Sequence, residues 1–433
     1  MQRNLNLVLL GNSGCGKSTI GGALMYARHK VDEKTLDKLK KETEMLGRNN
    51  SHFAFVMDTL KAERDRGLTL SNKFVKFQTE NHNVTLIDVP GHRDSMRATI
   101  TGMTQGDCAI LVLNAQGGDF ELGLKEGVTK EQTLLAFNLG VREIIVAVNK
   151  MENAAYSEER FSLIAMEIKF ILKATGYNLS KVSIIPVSGV NGDNISKHTA
   201  ETKWYTGPTL VEAIDKIRTP LRPIDLPLRL PVNDSFKISG IGTVVVGRVE
   251  TGVIKKGMKI AFCPGTLVSE CMSIESHGEK INEAYPGDNI GFNILGVSCK
   301  DVRPGQVASD ANNKPASEVV DFLAQIVVLN HPTKIEVGYT PIIYCHNAQV
   351  ACKIVEIRER IDKLTGKIAE KNPKSIANGD AAVVRFKPTK PMCVETYKEY
   401  APLGRFAVRD MKQTVAVGII KETTKKEVVA GKK

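Results

Sequence analysis

Eight residues near the start of the chain constrain its fold more than any other feature. Residues 11–18 read Gly-Asn-Ser-Gly-Cys-Gly-Lys-Ser, which matches the pattern Gly-x4-Gly-Lys-Ser/Thr. An apolar run at residues 5–10 precedes the pattern and a helix-like segment at residues 16–29 follows it, which is the context that the pattern requires. Such a loop can wrap its backbone N–H groups around a phosphate at the positive end of the helix. We therefore expect a phosphate-binding loop in an α/β domain.

The pattern of apolar runs and turn residues changes once along the chain, and this change predicts three domains and a tail. The first half alternates apolar strands (residues 5–10, 83–88, 109–114, 143–149 and 182–187) with helix-like segments (residues 16–29, 130–139 and 158–175). This alternation indicates a parallel, doubly wound sheet. After a proline-punctuated linker at residues 222–227, short β runs are separated by Gly, Pro, Asn and Asp. We expect a multidomain protein: an α/β phosphate-loop domain at 1–222, antiparallel β-barrels at 223–315 and 316–425, and a tail at 426–433. The lysine-rich stretch from residue 421 to the end predicts a solvated tail.

Composition and charge exclude several classes of protein. The apolar runs are strand-sized, far below the ~20 residues that cross a membrane, so we expect a soluble protein with no membrane partner. The eight cysteines form no Cys-x-x-Cys pair, and we expect buried free thiols in a reducing, cytoplasmic compartment. The net charge of +11 suits a polyanion such as RNA, although many basic proteins bind none.

Two further features complete the phosphate end of the predicted site. Lys17 can neutralise the β and γ oxygens of a nucleotide, and the Ser18 hydroxyl can ligate Mg²⁺. Asp88, at the end of a predicted strand, can hold the Mg²⁺ through water, and Gly91 can offer its N–H to the γ-phosphate. Asp-x-x-Gly by itself is a weak motif and gains meaning from the phosphate loop before it. The predicted phosphate-binding residues are Gly11, Asn12, Ser13, Gly14, Cys15, Gly16, Lys17, Ser18, Thr19 and Gly91.

The base end is predicted from two other strand ends. Asn149 and Lys150 can brace the phosphate loop and cover one face of a purine. The Glu152 carboxylate can accept both guanine N1–H and N2–H, a pair that adenine does not offer. Ligands bind at the carboxyl ends of the strands in such sheets, so these signals together indicate a site for GTP or GDP. The predicted guanine-binding residues are Asn149, Lys150, Glu152, Ser188, Gly189 and Val190.

Four segments resemble translational GTPases over essentially the whole chain. Residues 61–70 (Lys-Ala-Glu-Arg-Asp-Arg-Gly-Leu-Thr-Leu) resemble the first switch of that family, and residues 88–94 (Asp-Val-Pro-Gly-His-Arg-Asp) resemble its second switch. Residues 240–252 and 402–418 resemble its β-barrel segments. The resemblance implies a GTPase domain followed by two β-barrels. It also implies delivery of aminoacyl-tRNA to the ribosomal A site, release on GTP hydrolysis, and reloading by a guanine-nucleotide exchange factor.

The resemblance also implies roles for individual residues. Thr69 corresponds to the threonine that holds Mg²⁺ and the attacking water, and His92 corresponds to the catalytic histidine that positions this water. Arg97 keeps a positive charge of the second switch and is expected to contact tRNA. Four residues fall where the family binds the aminoacyl group and terminal adenosine, although each could equally be a core or turn residue: Asp234, Phe236, His277 and Asn289.

The chain departs from the family pattern at working positions. Ser13 replaces a valine that is thought to form an apolar gate with the position of Leu68, and Glu152 replaces an aspartate. Gly14, Ala98 and Pro304 replace an aspartate, an asparagine and an arginine. These departures bear on rate, base selectivity and tRNA affinity rather than on the fold.

Two alternative functions remain open. A paralogous ribosomal GTPase would deliver a release or rescue factor, but such relatives usually have long N-terminal extensions, whereas this chain begins ten residues before Gly11. Residues 409–418 also resemble the elongation-factor branch more closely. The family is associated with actin bundling as well, so a nucleotide-bound actin-binding scaffold with little turnover is the second alternative.

Overall fold

A computed structural model of the protein describes residues 3–48, 50–125, 127–276, 278–362, 365 and 367–426. The chain divides into two compact units, Met1–Pro220 and Leu221–Lys433. His277 and residues 427–433 of the predicted tail lie outside the described residues.

The first unit is built on a six-stranded sheet in the order β2-β3-β1-β4-β5-β6. Its strands are β1 (Arg3–Leu10), β2 (Lys73–Gln78), β3 (His82–Asp88), β4 (Cys108–Asn114), β5 (Glu143–Asn149) and β6 (Ser183–Pro186). Strands β3, β1, β4, β5 and β6 pair in parallel, whereas β2 is antiparallel to β3. The five predicted strands therefore form the expected parallel sheet, and the strand that the sequence did not predict, β2, is antiparallel because it returns directly into β3 through a short turn.

Helices cover both faces of this sheet. They are α1 (Lys17–Ala27), α2 (Glu33–Met45), α3 (Ala54–Met57), α4 (Lys61–Arg66), α5 (Met96–Thr104), α6 (Asp119–Lys125), α7 (Thr129–Leu139), α8 (Glu158–Thr175) and α9 (Leu210–Asp215). Short 3₁₀ turns lie at Arg93–Ser95, Met151–Ala154, Leu179–Lys181, Ala200–Thr202 and, in the second unit, Ala401–Leu403. Because β1 is buried on both faces from Leu5 to Leu10, these residues are apolar except for Asn6.

The second unit begins with a closed barrel. Its strands are β7 (Leu230–Ile238), β8 (Gly242–Arg248), β9 (Ile254–Lys255), β10 (Lys259–Cys263), β11 (Leu267–Ser276), β12 (Glu279–Ile281), β13 (Glu283–Ala284), β14 (Asn289–Ile294) and β15 (Val307–Asp310). The order β10-β15-β7-β8-β14-β11 is closed by pairing of β11 with β10, all antiparallel. Closure leaves these six strands without a free edge.

A second closed barrel follows. Its strands are β16 (Val319–Val328), β17 (Ile335–Glu336), β18 (Ile342–Cys345), β19 (Ala348–Ile361), β20 (Ile368–Lys371), β21 (Ser375–Ile376), β22 (Ala381–Pro388), β23 (Arg405–Asp410) and β24 (Gln413–Lys425). The antiparallel order β18-β23-β24-β16-β22-β19 is closed by β18 and β19. The fold class, an α/β phosphate-loop domain followed by two antiparallel barrels, is confirmed. The solvated tail does not begin at residue 421, however, because β24 pairs with β16 as far as Lys425.

A buried ion pair joins the two barrels. Arg229, beside β7, is 2% exposed and lies 2.9 Å from the fully buried Glu395 carboxylate that follows β22. Lys425 also reaches Glu395, at 2.9 Å. Asn347 of the second barrel also contacts the first barrel, because its Nδ2 donates to the Val232 carbonyl. These contacts hold the barrels together as one compact unit.

The cysteines agree with the sequence expectation of buried free thiols. All eight cysteines are free thiols, and seven of them are buried, with Cys299 half-buried. Among the described residues, no helix is long and apolar enough to cross a membrane.

Candidate nucleotide-binding site

The phosphate loop connects β1 to α1 through backbone conformations that favour glycine. Gly11, Gly14 and Gly16 have φ of 137°, 76° and 92°, in or near the left-handed region that L side chains rarely adopt. A Cβ on Gly11 would lie 2.3 Å from the Val112 carbonyl oxygen, so no side chain fits there. Lys17 is buried, and its Nζ donates to the carbonyls of Gly11 and Asn12 at 3.0 Å each. The loop thus concentrates a cation and a helix N-terminus at one point.

Asn149, the last residue of β5, braces this loop against the segment that follows β6. Its Nδ2 donates to the Cys15 carbonyl at 2.9 Å, and its Oδ1 accepts the Gly189 N–H at 2.8 Å. A Cβ on Gly16 would meet the Asn149 amide at 2.2 Å. One buried amide therefore fixes the distance between the phosphate end and the predicted base end.

The predicted base end is formed by two turns. Lys150 adopts a left-handed conformation (φ 62°) and leads into the 3₁₀ turn that carries Glu152. The Glu152 Oε2 atom is buried and has no hydrogen-bond partner within the described part of the chain. A buried carboxylate oxygen is costly to leave unpaired, so its position suits a ligand that donates hydrogen bonds.

Tyr156 connects these two turns. Its hydroxyl donates to Asp193 Oδ2 at 2.5 Å and accepts from Asn191 Nδ2 at 3.0 Å. Burial, followed by the bond to Asp193, raises the pKa of Tyr156 to about 12. The turn containing Ser188, Gly189 and Val190 is therefore held to the Glu152 turn as well as to Asn149.

Four oxygen-bearing side chains converge beside Lys17. Ser18 Oγ donates to Asp88 Oδ2 at 2.6 Å and lies 3.0 Å from Thr69 Oγ1, while Thr69 Oγ1 donates to Asp58 Oδ1 at 3.3 Å. Asp88 Oδ1 is buried without a hydrogen-bond partner among the residues described. Hydroxyl and carboxylate oxygens are the ligands that Mg²⁺ prefers, so the residues present fit this ion.

The two carboxyl groups in this cluster have raised pKa values. Burial, and then the charges of Asp88 and Glu63, raise the pKa of Asp58 to about 7. Burial raises the pKa of Asp88 to about 6, with Lys17 acting in the opposite direction. A cation at this position would favour the ionised form of both groups.

The segment predicted to be the first switch is held in place by a buried acid. Glu63 on α4 is fully buried and accepts the N–H groups of Leu60 and Leu70 at 3.4 and 3.1 Å. Lys73 Nζ lies 3.0 Å from its carboxylate. Arg64, the next residue, donates to the Asp58 carbonyl at 2.7 Å. These bonds fix the segments that carry Asp58 and Thr69.

The segment predicted to be the second switch lies directly on the phosphate loop. A Cβ on Gly91 would lie 2.4 Å from Lys17 Nζ and 2.7 Å from Ser13 N, so the glycine backbone itself contacts the loop. His92 follows it with a side chain that is 58% exposed, and its Nδ1 accepts the Asp94 N–H at 3.3 Å. His92 is thus exposed at the cavity and contacts Asp94, whose Oδ2 also lies 3.6 Å from the His92 Nδ1.

A cavity of about 360 Å³ unites most of the predicted site. The predicted residues that line it are Ser13, Gly14, Gly16, Lys17, Ser18, Thr19, Thr69, Gly91, His92, Asn149, Lys150, Glu152 and Val190. The other predicted nucleotide and metal residues lie in the loops and strand ends behind this lining: Gly11, Asn12, Cys15, Asp88, Ser188 and Gly189. Leu68 also lines the cavity, on the same wall as Thr69.

Sequence reasoning missed several residues that line this cavity, among them Arg48, Asn50 and Asp58, and one buried residue behind it. Asp58 lines the cavity and bonds Thr69, but it precedes the first-switch motif and carries no local signal. Gln132 on α7 is fully buried and accepts the Gly11 N–H at 2.7 Å, a contact between residues 121 positions apart. Only the fold brings these residues to the loop.

The predicted tRNA contacts are distributed over the two units. Arg97 is exposed on α5 in the first unit. In the first barrel, Asp234 and Phe236 are exposed on β7, and Asn289 is half-buried at the start of β14.

The strand register separates two of these barrel residues along the sheet. Phe236 pairs with Val244 of β8, and Asn289 pairs with Arg248 of the same strand. Phe236 and Asn289 are thus four residues apart along the strands, or about 13 Å at ~3.3 Å per residue.

Comparisons with known proteins cover all three domains. A family described as "Elongation factor Tu GTP binding domain" matches residues 2–220, "Elongation factor Tu domain 2" matches 242–309, and "GTP-eEF1A C-terminal domain-like" matches 321–421. Elongation factor 1-alpha of Tetrahymena pyriformis is 51% identical over 427 residues, which are 98% of each chain. Elongation factor 1-alpha of Serendipita indica is 50% identical over 444 residues, covering 99% of this chain and 96% of the relative.

Solved structures share the fold. The GTP-bound GTPase-like domain of S. cerevisiae Ski7 matches with a TM-score of 0.80 over 97% of each chain, at 19% identity. Translation elongation factor SelB from Methanococcus maripaludis, with a GTP analogue, matches with a TM-score of 0.71 over 98% of this chain and 80% of that chain, at 22% identity.

Proposed function

We propose, since the chain belongs to the elongation factor 1-alpha family of translation elongation GTPases, that it delivers aminoacyl-tRNA to the ribosomal A site. In this proposal, hydrolysis of bound GTP to GDP and phosphate releases the tRNA, and a guanine-nucleotide exchange factor reloads the protein. The observation that carries the proposal is the single cavity that joins a phosphate loop, a set of hard oxygen ligands, His92 and the Glu152 turn.

The cavity suits a guanine nucleotide bound along its length. The phosphate-loop N–H groups and Lys17 would hold the phosphates, and Asn149 would keep the base end at its proper distance. The unpaired Glu152 oxygen would accept hydrogen bonds from guanine N1–H and N2–H. Adenine offers no such pair of donors, so we infer selectivity for guanine.

Mg²⁺ is the cofactor that the oxygen cluster suits. Ser18 and Thr69 would ligate it directly, and Asp88 would hold it through water, with Asp58 supplying a second nearby carboxylate. When bound, the ion would neutralise charge on the β and γ phosphate oxygens.

His92 is proposed to orient the attacking water rather than to act as a strong base. Its side chain is 58% exposed and contacts Asp94, two residues along the chain, so we infer that the free protein holds the imidazole orientation only locally. We therefore expect slow hydrolysis in the free protein, roughly 10⁻⁴ to 10⁻² per second, as in switches without a completed site. Contact with the ribosome would fix the imidazole and accelerate the reaction.

Binding of aminoacyl-tRNA would use charge and the first barrel. The net charge of +11 favours a polyanion, and Arg97, Asp234, Phe236 and Asn289 are the proposed contacts, with His277 outside the described residues. Phosphate contacts release counterions, so log K should fall linearly with log salt. The GTP form should bind aminoacyl-tRNA far better than the GDP form does.

One assay separates this function from its alternatives. GTP hydrolysis is measured with ribosomes alone, with ribosomes and aminoacyl-tRNA, and with ribosomes and uncharged tRNA. The proposal predicts stimulation that depends on the aminoacyl group. Stimulation by ribosomes that is the same with aminoacyl-tRNA and with uncharged tRNA would favour a carrier of a release or rescue factor. No stimulation, together with cosedimentation with actin filaments, would favour a scaffold.

A further inference from the structure

A buried glutamine contacts the phosphate loop from behind. Gln132 lies on α7, is 0% exposed, and its Oε1 accepts the Gly11 N–H at 2.7 Å. Its Nε2 is also buried and has no hydrogen-bond partner in the described ranges. Glutamine is seldom fully buried, and a half-satisfied amide in a protein interior is destabilising.

Side chains hold both the N–H and the carbonyl of Gly11. Gln132 takes its N–H, and Lys17 Nζ donates to its carbonyl at 3.0 Å. Its backbone has φ of 137°, and the Val112 carbonyl lies where a Cβ would be. Gly11 is the first residue of the loop, so its peptide orientation determines how the following N–H groups point.

Gln132 cannot act by touching a nucleotide. Its complete burial separates it from any ligand in the cavity, and it reaches the site only through Gly11. Any effect on nucleotide binding must therefore pass through the position of the loop backbone.

The two ends of the amide have opposite effects on stability. The bond to the Gly11 N–H contributes to stability, whereas the unpaired Nε2 costs desolvation energy. An apolar side chain of similar length would remove the second cost but would leave the buried Gly11 N–H without its acceptor. The uncompensated part of the change therefore falls on the phosphate loop, which is the part of the molecule that holds the nucleotide.

We infer that Gln132 is a positioning residue that slows the release of guanine nucleotide by fixing the first peptide of the phosphate loop. This inference rests on the guanine-nucleotide binding of the family and not on the proposed delivery of tRNA. Its success or failure can therefore be read separately from that of tRNA delivery.

The test compares two variants that break the bond with one that leaves it intact. Gln132→Met removes the amide at similar length, and Gln132→Asn shortens it by about 1.5 Å, one carbon–carbon bond. Thr133→Val is the matched control, because Thr133 is equally buried on α7 and its hydroxyl donates only locally, to the Thr129 carbonyl at 2.7 Å. Dissociation of a fluorescent GDP analogue is followed by stopped flow, and unfolding by urea is measured on the same proteins.

We expect both Gln132 variants to release GDP about 5- to 150-fold faster than the parent, the range for loss of an acceptor from a buried donor. Gln132→Met should lower its urea midpoint no more than Thr133→Val does, because loss of the unpaired Nε2 partly offsets the unpaired Gly11 N–H, while Thr133→Val leaves GDP release within about twofold. Release within twofold of the parent in both Gln132 variants would overturn the inference. Equal acceleration by Thr133→Val would overturn it too, since general softening of α7 would then be the cause.

Discussion

Replacing Glu152 by glutamine tests base recognition with a change of one atom. Glu152→Gln keeps the size and shape of the side chain but turns one acceptor oxygen into an N–H₂ donor. The Glu152 Oε2 atom is buried without a partner among the described residues, and the side chain lines the nucleotide cavity. If guanine N1–H and N2–H donate to this carboxylate, the amide must place a donor against a donor.

The magnitude follows from the two hydrogen bonds. A hydrogen bond to a charged group contributes about 1.5–3 kcal/mol. Glu152→Gln removes one such bond, so GDP affinity should fall about 10- to 150-fold. ADP has no matching donors, and its affinity should change by less than about threefold. The ratio of GDP affinity to ADP affinity should therefore fall by nearly the same factor as the GDP affinity itself.

Glu152→Asp tests whether the longer side chain is strained. Aspartate is shorter by about 1.5 Å, and relief of an off-rotamer glutamate is expected to be worth about 0.5–1.5 kcal/mol. GDP should then bind about 2- to 12-fold more tightly and leave more slowly. The Glu152 turn is flanked by left-handed residues, with φ of 62° at Lys150, 48° at Ala155 and 51° at Tyr156. No gain in Glu152→Asp would mean that this backbone has already accommodated the extra methylene.

Equilibrium titration of GDP and ADP against each protein gives all of these quantities. Glu159→Gln serves as the control, because it makes the same change of charge at an exposed position on α8. The reasoning is refuted if Glu152→Gln binds GDP within twofold of the parent, or if the parent binds ADP as tightly as GDP.

Three further changes test the catalytic, metal and structural parts of the molecule. His92→Ala should leave GTP affinity within a few-fold and abolish most ribosome-stimulated hydrolysis; loss of GTP binding in a filter assay would make His92 a structural residue. Burial raises the pKa of Asp58 to about 7 and that of Asp88 to about 6, so between about pH 4 and 7 the folded chain holds protons that the unfolded chain has lost. As pH increases through that window, the free energy of unfolding without Mg²⁺ should therefore fall and the Mg²⁺ affinity should rise. Calorimetric titration with Mg²⁺ at pH 5.5 and 7.5 should show a smaller change of affinity in Asp58→Asn than in the parent. Glu395→Ala leaves Arg229 buried without its carboxylate and should lower the free energy of unfolding in urea by about 3–5 kcal/mol.

Elements with a strong local signal could be predicted from the sequence. Strand β5 (Glu143–Asn149) and helix α8 (Glu158–Thr175) have the predicted bounds, because a buried parallel strand is a continuous apolar run and α8 ends at a glycine, Gly176, in a left-handed conformation. The phosphate loop was predictable for the same reason, since its glycines and Lys17 are required by backbone geometry and charge.

Elements that depend on distant partners could not be predicted. Strand β2 (Lys73–Gln78) is an edge strand with mostly half-exposed residues, so it lacks a clear apolar pattern. The lysines at the end of β24 look solvated in sequence, but backbone pairing with β16 keeps them in the barrel. Asp58 and Gln132 are ordinary polar residues until the fold brings them to Thr69 and Gly11.

The spacing of the oxygens around Ser18 and Thr69 explains why this cluster suits a divalent cation. Ser18 Oγ bonds Asp88 and lies 3.0 Å from Thr69 Oγ1, which in turn bonds Asp58. Oxygen ligands of Mg²⁺ lie about 2.1 Å from the ion in an octahedron, whose edge is then about 3.0 Å, so two adjacent ligands would have this spacing. Each hydroxyl also has a carboxylate that can take its proton, which leaves the oxygen lone pairs available for a cation. Protonation of Asp58 would remove its negative charge from the cluster, which is why we expect low pH to weaken Mg²⁺ binding there.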